Sequence, residues 1–219
     1  MEAICYIISA MPAPDLYLPR RSGDFLIAAD AGYRTLQERR EEPDLVVGDF
    51  DSLGSRPDHP HVLQHPTAKN DTDTLLAARI GIEKGFRTFV FFGALGGLLD
   101  HMWANCQTLL WLAEHGAQGF LLGEGQCVTA LQSGTLSFSN DNRGRISVFS
   151  AGDQAEGVTL RGLEFPLEGA VLRNSFPLGV SNAFTGRAAE VRVERGQLLV
   201  IWQQEARVVV ERLLEGGAL

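Results

Sequence analysis

The pattern of apolar residues changes near residue 125, and this change limits the folds open to the chain. Before it, short apolar runs alternate with segments of helical periodicity. Strands that are apolar on both faces and separated by helices are typical of a parallel sheet covered by helices. After it, short apolar runs are separated by Gly, Asn, Asp and Pro, which is typical of antiparallel strands. We therefore predict an α/β domain with a mostly parallel sheet over residues 1–125 and an all-β domain over residues 126–219.

Individual elements follow from the same periodicities. In the first half we predict five strands, at residues 4–9, 25–29, 44–48, 88–93 and 119–123. Three helices are predicted between them, at residues 30–40 (opened by Asp30), 71–85 and 100–116. In the second half we predict strands at residues 135–139, 145–150, 157–163, 169–173, 188–202 and 206–214. The segment 56–66 contains several prolines and is predicted to be a loop.

Charge and cysteine content narrow the class of protein. The net charge of −8 argues against a general nucleic-acid binder, which would carry a basic surface. The three cysteines are widely spaced and form no C-x-x-C motif, so we expect a reducing compartment. No apolar run approaches the ~20 residues of a membrane span, and the first residues lack the pattern of a signal peptide. We expect a cytoplasmic protein with neither a nucleic-acid nor a membrane partner.

Aspartates follow several of the predicted strands directly. Asp30 follows the strand at 25–29, Asp49 and Asp51 follow the strand at 44–48, and Asp100 lies in the loop after 88–93. Asp73 lies at the start of the helix before that last strand. Ligands bind at the carboxyl ends of parallel strands, so the four strand-end aspartates are expected to converge. Clustered carboxylates repel each other unless a hard cation such as Mg²⁺ joins them, commonly together with substrate phosphates.

Each aspartate also has a purely structural interpretation. Asp30 and Asp100 are suitable helix N-caps. Asp73 comes three residues after Asn70, which resembles a capping box. Asp49 and Asp51 could belong to a turn before Gly54. The joint arrangement favours a metal site that serves a phosphorylated substrate.

A glycine-rich loop lies between the strand at 88–93 and the following helix. Its glycines, Gly93, Gly96 and Gly97, allow backbone N–H groups to approach an anion near the start of a helix. The spacing matches neither the dinucleotide fingerprint nor the P-loop. A tight turn is the alternative. Lys69 is either a phosphate contact or a solvated surface residue.

Five motifs in this order together resemble the thiamine pyrophosphokinase family, and the resemblance covers almost the whole chain. They are "ADAG" (29–32), "PDLVVGDFDSLG" (43–54), "KNDTDTLLAA" (69–78), "GALGGLLDHMWANCQTL" (93–109) and "SN-x-F-x-G" (181–186). The resemblance implies that the all-β domain is a β-sandwich and that the protein is a homodimer. It also implies transfer of pyrophosphate from ATP to the hydroxyl of thiamine, with Mg²⁺, to give thiamine diphosphate and AMP.

The resemblance further implies roles for individual residues. Asp49, Asp51, Asp73 and Asp100 would bind Mg²⁺ and orient ATP, and Asp73 or Asp100 is a candidate acceptor of the thiamine proton. Lys69 would face the phosphates, and from their places in the sequence we also expect Asp30, Asn70, Gly96 and Gly97 to bind the nucleotide. The expected thiamine-binding residues, near the partner subunit, are Ser175, Ser181 and Asn182.

Two positions depart from the family pattern. Asn70 stands where the family usually has aspartate, and Leu98 stands where it usually has arginine. An arginine would place a bidentate charge on a phosphate. Either that contact is lost, or Leu98 packs against the following helix while Arg143, Arg145, Arg173 or Arg187 supplies the charge. We favour the second interpretation, in which Leu98→Arg brings no gain.

Two other functions remain open at this point. One is a pyrophosphokinase that acts on another heterocyclic alcohol, such as a pterin or a thiamine analogue. The other is a nucleotide- or thiamine-binding homologue with weak or no catalysis. The four aspartates argue against a passive binder, because such a protein has little use for clustered acids.

Overall fold

The computed structural model describes residues 2–50, 56–64 and 71–219, so Asp51, Lys69 and Asn70 lie outside the described residues. The described residues form four helices: α1 (Gly32–Arg39), α2 (Asp73–Glu83), α3 (Leu99–Glu114) and α4 (Ala206–Glu215). Their strands in the first half are β1 (Ile4–Ile8), β2 (Phe25–Ala29), β3 (Leu45–Gly48), β4 (Val62–Gln64), β5 (Thr88–Phe92) and β6 (Gln118–Gly123). Those in the second half are β7 (Gln126–Phe138), β8 (Arg145–Ser150), β9 (Gln154–Arg161), β10 (Leu167–Arg173), β11 (Asn182–Ala183) and β12 (Ala189–Gln203).

The first six strands form a parallel sheet in the order β6-β5-β1-β2-β3-β4. The chain builds outward from β1 to β4 on one side and then continues with β5 and β6 on the other. The carboxyl end of β1 therefore lies at the point where the strand order reverses, which is where open α/β sheets bind ligands. This confirms the predicted parallel sheet.

Alternating side chains of this sheet enter two separate cores. Cys5, Ile7 and Phe91 pack on the face covered by α2 and α3. Tyr6 and Ile8 belong to the core of the opposite face, which continues into the second half of the chain. Both faces are apolar because both are covered, as the continuous apolar runs in the sequence indicate.

The second half is rich in antiparallel strands, as predicted. β7 pairs antiparallel with β6, so the sheet continues across the predicted boundary near residue 125, and the division into two domains stays a prediction. The long strand β12 pairs with β7 along its length, with β9 near its start and with β8 near its end. An isolated bridge between Leu163 and Phe184 joins the ends of β9 and β11.

The prediction of a strand at residues 206–214 is wrong, because this segment forms α4. The consecutive valines 208–210 suggest a strand, yet the buried residues Ala206, Val209 and Val210 follow helical spacing. Gly216 ends the helix in the left-handed conformation that suits glycine. The expectation of a loop at residues 56–66 is also incomplete, since β4 adds a short parallel strand at the edge of the sheet.

Among the described residues no helix is long and apolar enough to cross a membrane. The three cysteines are free, and burial raises the pKa of the thiols of Cys5, Cys106 and Cys127. A thiol with a raised pKa is a poor nucleophile at neutral pH, so cysteine chemistry is not indicated.

The packing of α4 gives a stability prediction. Val209 is fully buried, whereas Val208 is only partly buried. We expect Val209→Ala to lower the free energy of unfolding by about 2 kcal/mol, because it removes two buried carbon groups and leaves a cavity. Val208→Ala is the matched control and should change it by less than about 0.5 kcal/mol. Urea titration measures both. A larger loss for Val208→Ala would match a strand, in which residues 206, 208 and 210 share a face.

Candidate active site

The carboxyl ends of the central strands open into a pocket of about 400 Å³. Its lining comes from the ends of β1, β2, β3 and β5, from the first turn of α2 and from the first two turns of α3. Four aspartates belong to this lining: Asp30, Asp49, Asp71 and Asp73. Among the described lining residues there is no lysine or arginine, and His101 is the one group that can become cationic. The pocket is therefore strongly acidic.

Three of these aspartates converge. One carboxylate oxygen each from Asp30, Asp49 and Asp73 lies within 4.8 Å of the other two. Oxygen atoms at this spacing suit a hard divalent cation, which prefers carboxylate ligands. In addition, the Oδ1 atom of Asp30 is buried and has no hydrogen-bond partner among the described residues. A buried carboxylate oxygen without a donor is costly unless a cation is present, so the residues fit the expected Mg²⁺.

The backbone around Asp30 and Asp49 is unusual and brings the two residues together. The backbone N–H of Asp30 donates to the carbonyl of Val47 at 2.8 Å, which ties the end of β2 to the end of β3. Asp30 and Phe50 both adopt positive φ angles, 48° and 64°. Such a conformation in a bulky residue costs about 1–3 kcal/mol and persists only when its surroundings hold it. Phe50 is 3% exposed and packs in the core, and this burial holds the backbone next to Asp49 in place.

Asp73 is placed by the start of α2. Thr72 is the N-cap, and its hydroxyl accepts a hydrogen bond from the backbone N–H of Leu75 at 3.2 Å. The capping-box interpretation of Asp73 is therefore wrong, since Asp73 is the first residue of the helix itself. The hydroxyls of Thr74 and Ser9 lie 3.1 Å apart in a buried contact, which fixes this turn against the end of β1. Asp71 also lines the pocket and pairs with Arg79 at 2.6 Å.

The N-cap alternatives for Asp30 and Asp100 are wrong as well. Ala31 occupies the N-cap position of α1, and Leu98 occupies that of α3. Asp100 lies in the first turn of α3, is exposed, and accepts a hydrogen bond from the backbone N–H of His101 at 2.9 Å. It does not belong to the three-carboxylate group, so its metal role stays a prediction.

The glycine loop comes close to the end of β1. Gly93 has a φ of 65°, and a Cβ there would lie 2.4 Å from the carbonyl oxygen of Met11. Only glycine permits this approach. The side-chain amide of Asn105 donates to the carbonyl of Ala94 at 2.8 Å and holds the loop from α3. Of the predicted anion-binding glycines, Gly93 and Gly96 line the pocket and Gly97 does not, and their role toward an anion stays a prediction.

Leu98 differs from its predicted environment. We expected it to pack against the following helix, but it is 66% exposed and lines the pocket. Its backbone is extended, with φ −76° and ψ 134°, at the N-cap position before α3 begins. The arginines proposed to replace a charge here, Arg143, Arg145, Arg173 and Arg187, do not line this pocket.

The predicted thiamine-binding residues lie elsewhere in the chain. Ser175 and Ser181 are exposed, and Asn182 is buried. The amide of Asn182 donates to the carbonyl of Phe165 at 2.7 Å and accepts from the N–H of Phe165 at 2.9 Å. None of the three lines the acidic pocket, so a single chain does not bring them to the aspartates. Their role toward thiamine stays a prediction.

Sequence reasoning missed Ser9, Met11, Asp71 and Thr74 in the pocket lining. Ser9 directly follows β1, and the rule that ligands bind at strand carboxyl ends would have identified it. Asp71 directly follows Asn70, and Thr74 directly follows Asp73. Met11 carries no pattern in the sequence, because it reaches the pocket through the close approach of the loop after β1 to Gly93.

Comparison with solved structures shows the fold. A thiamine pyrophosphokinase from Bacillus subtilis superimposes with a TM-score of 0.82 at 24% identity, over 92% of this chain and 99% of that chain. A thiamin pyrophosphokinase from Geobacillus thermodenitrificans superimposes with a TM-score of 0.79 at 25% identity, over 93% of this chain and 98% of that chain. Thiamin pyrophosphokinase from Candida albicans superimposes with a TM-score of 0.75 at 15% identity, over 93% of this chain and 90% of that chain. The predicted fold class, an α/β part followed by a β-rich part, is thereby confirmed.

Comparison at the sequence level agrees with the structural likeness. A curated thiamine pyrophosphokinase from Bacillus subtilis (strain 168) is 25% identical over 182 residues, which is 80% of this chain and 85% of that protein. Residues 20–121 match the family model of the thiamin pyrophosphokinase catalytic domain. Residues 135–198 match that of the thiamin pyrophosphokinase vitamin B1 binding domain. With both domains matched in order and the fold shared over nearly the whole chain, the protein belongs to the thiamine pyrophosphokinase family.

Proposed function

We propose that this protein transfers the β,γ-pyrophosphoryl group of ATP to the hydroxyl of thiamine, giving thiamine diphosphate and AMP. Family membership supports a transferase of thiamine diphosphate synthesis. The observation that carries the finer proposal is the convergence of Asp30, Asp49 and Asp73 in a pocket at the carboxyl end of the sheet. Polyphosphate transfer depends mainly on positioning and on neutralising phosphate charge, and a cation held by these carboxylates supplies that charge.

The reaction forms a bond between the thiamine oxygen and the β-phosphorus and breaks the bond between that phosphorus and the oxygen retained by AMP. The hydroxyl must lose its proton to a base. Asp30, Asp49 and Asp73 are proposed to hold Mg²⁺, together with Asp51. Asp73, which lines the pocket, and Asp100, which lies in the first turn of α3 outside the three-carboxylate group, are the proposed acceptors of this proton.

The assembly and the cellular location of the protein are also proposals. The chain is proposed to act as a homodimer in which Ser175, Ser181 and Asn182 of one copy lie near thiamine, because one chain alone leaves them outside the acidic pocket. The cytoplasm is proposed as its location, since all three cysteines are free.

Product analysis tests the proposed reaction. We expect AMP and thiamine diphosphate only when ATP, Mg²⁺ and thiamine are all present, measured by chromatography with each component omitted in turn. AMP formed without thiamine would indicate hydrolysis and contradict the proposal. AMP formed with a pterin or a thiamine analogue but not with thiamine would show that the acceptor is another heterocyclic alcohol.

The metal proposal gives a mutational prediction. Asp49→Asn keeps the size of the side chain but removes the charge, so we expect kcat to fall at least about 100-fold, with similar losses for Asp30→Asn and Asp73→Asn. Excess EDTA should abolish turnover of the wild type. Asp153→Asn, at an exposed carboxylate outside the pocket, is the control and should retain wild-type kcat. Full activity in EDTA, or unchanged kcat in the three pocket variants, would contradict the proposed role of the metal.

The dimer proposal rests on exposed apolar side chains in the second half. Phe165, Val171, Phe176, Leu178 and Val180 are between 47% and 64% exposed. Several large exposed apolar groups in one stretch of chain are typical of an interaction surface. We expect light scattering to give about twice the 23.9 kDa of one chain.

A charged substitution in that surface should dissociate the dimer. We expect Phe176→Glu to shift the mass toward a single chain, because the carboxylate would be desolvated in the interface. Trp103→Glu, at a 56% exposed position on α3, should leave the mass unchanged. A monomeric wild type at micromolar concentration would refute the proposal. Dissociation by Trp103→Glu but not by Phe176→Glu would show that the interface includes α3 instead.

A further inference from the structure

A pair of buried hydroxyl groups belongs to the lining of the acidic pocket. Ser9 directly follows β1, and Thr74 lies in the first turn of α2. The two residues are only 4% and 8% exposed. Their hydroxyl oxygens are 3.1 Å apart, and either hydroxyl can be the donor. The pair therefore joins α2 to the end of β1 at a place that a ligand in the pocket would contact.

The pair carries one more hydrogen atom than its mutual hydrogen bond uses. Each hydroxyl has one O–H donor, so two hydroxyls bring two hydrogens, and only one of them lies between the two oxygens. Among the described residues neither hydroxyl has a second hydrogen-bond partner. A donor that is buried without an acceptor is destabilising, so the second hydrogen is available to an acceptor that a ligand brings into the pocket.

The position of the pair indicates which part of a ligand it meets. The parallel register of β1 and β2 places Ser9 beside Ala29, the residue before Asp30. Thr74 directly follows Asp73. The hydroxyls are therefore next, in register or in sequence, to two of the three clustered carboxylates. A phosphoryl group that shares a cation with these carboxylates would lie beside the pair, and an anionic oxygen accepts a stronger hydrogen bond than a neutral one.

We propose that the Ser9–Thr74 pair binds the substrate, because its second hydroxyl hydrogen is donated to a phosphoryl oxygen. The inference rests on the proposed function in one respect, namely that the substrate is the polyphosphate of a nucleotide. Since both hydroxyls line the pocket, either one can donate to the phosphate while the other donates to it. The pair supplies a neutral donor at a fixed place and holds α2 against the sheet at the same time.

A purely structural role, in which the pair only joins α2 to β1, gives a different pattern of mutational effects. Ser9→Ala and Thr74→Val each break the hydrogen bond between the hydroxyls. Under a structural role each single variant therefore shows the full loss, and the double variant adds nothing. In the proposed role each single variant keeps one hydroxyl that reaches the ligand, and only the double variant removes the contact. The two roles differ in the sign of the coupling between the substitutions.

Binding measurements on the whole chain separate the two roles. Calorimetry in excess Mg²⁺ gives the Kd of ATP and of inorganic triphosphate for the wild type, both single variants and the double variant. We expect each single variant to weaken binding by less than about 5-fold and the double variant by about 10- to 150-fold, the range for a hydrogen bond to a charged group. Both ligands should show the same loss, because the phosphates are what they share.

Thr108→Val is the matched control. Thr108 is 2% exposed, and its hydroxyl donates to the carbonyl of Ala104 at 3.1 Å, so this variant also removes a buried threonine hydroxyl. Thr108 does not line the pocket, and we expect the Kd of both ligands to stay within about 2-fold of the wild-type value. Urea titration checks that every variant is folded. If the double variant is not, Ser9→Ala combined with Thr74→Ala removes the same two hydroxyls.

Several outcomes would overturn the inference. An unchanged Kd in the double variant would do so, and so would a full loss in each single variant with no further loss in the double variant. A loss for ATP without a loss for triphosphate would show that the acceptor is not a phosphate. An equal loss in Thr108→Val would show a general effect of buried hydroxyls rather than a contact in the pocket.

The inference and the proposed function fail in different ways. If the wild type binds neither ATP nor triphosphate, both are wrong. If the binding results are as expected but no AMP forms with thiamine, the inference stands and the proposed transfer fails. If AMP and thiamine diphosphate form but the double variant keeps the wild-type Kd, only the inference is wrong.

Discussion

Repulsion between like charges at one edge of a parallel sheet is the constraint on which the site depends. Asp30, Asp49 and Asp73 approach within 4.8 Å, and two unit charges 4 Å apart repel by about 4 kcal/mol at an effective dielectric constant of ~20. That is a large fraction of the roughly 5–15 kcal/mol by which a domain is stable. The arrangement is therefore costly without a cation, and the rest of the fold has to hold it in place.

The fold holds the three carboxylates in place through strands that are covered on both faces and through a rigid backbone. The strands that end at the pocket are buried on both faces, so their ends cannot shift without disturbing two cores. Phe50 anchors the backbone next to Asp49, and Asn105 fixes the glycine loop from α3. Sites carried on rigid elements keep their geometry better than sites on loops. The strained φ of Phe50 is thus offset by the packing of the same side chain.

Most of the architecture could be predicted from the sequence, because the apolar periods of strands and helices differ. The errors have local causes. The valines of residues 206–214 predict a strand, because valine favours strands. The segment is a helix, since its buried residues Ala206, Val209 and Val210 have helical spacing. At the site, the strand-end rule brings Asp30 and Asp49 together but also includes Asp100, which lies in the first turn of α3 outside the three-carboxylate group. The exposure of Leu98 likewise follows from the tertiary path of that loop, which no sequence period encodes.

The central claim is that the three clustered carboxylates hold a divalent cation. Anomalous diffraction from crystals soaked in MnCl₂ tests it most directly, because manganese replaces magnesium on oxygen ligands and is located by its own scattering. The account predicts an anomalous peak between the carboxylates of Asp30, Asp49 and Asp73, and its loss in Asp49→Asn. A peak that lies away from these three side chains, or no peak in crystals that also contain a bound nucleotide, would contradict it.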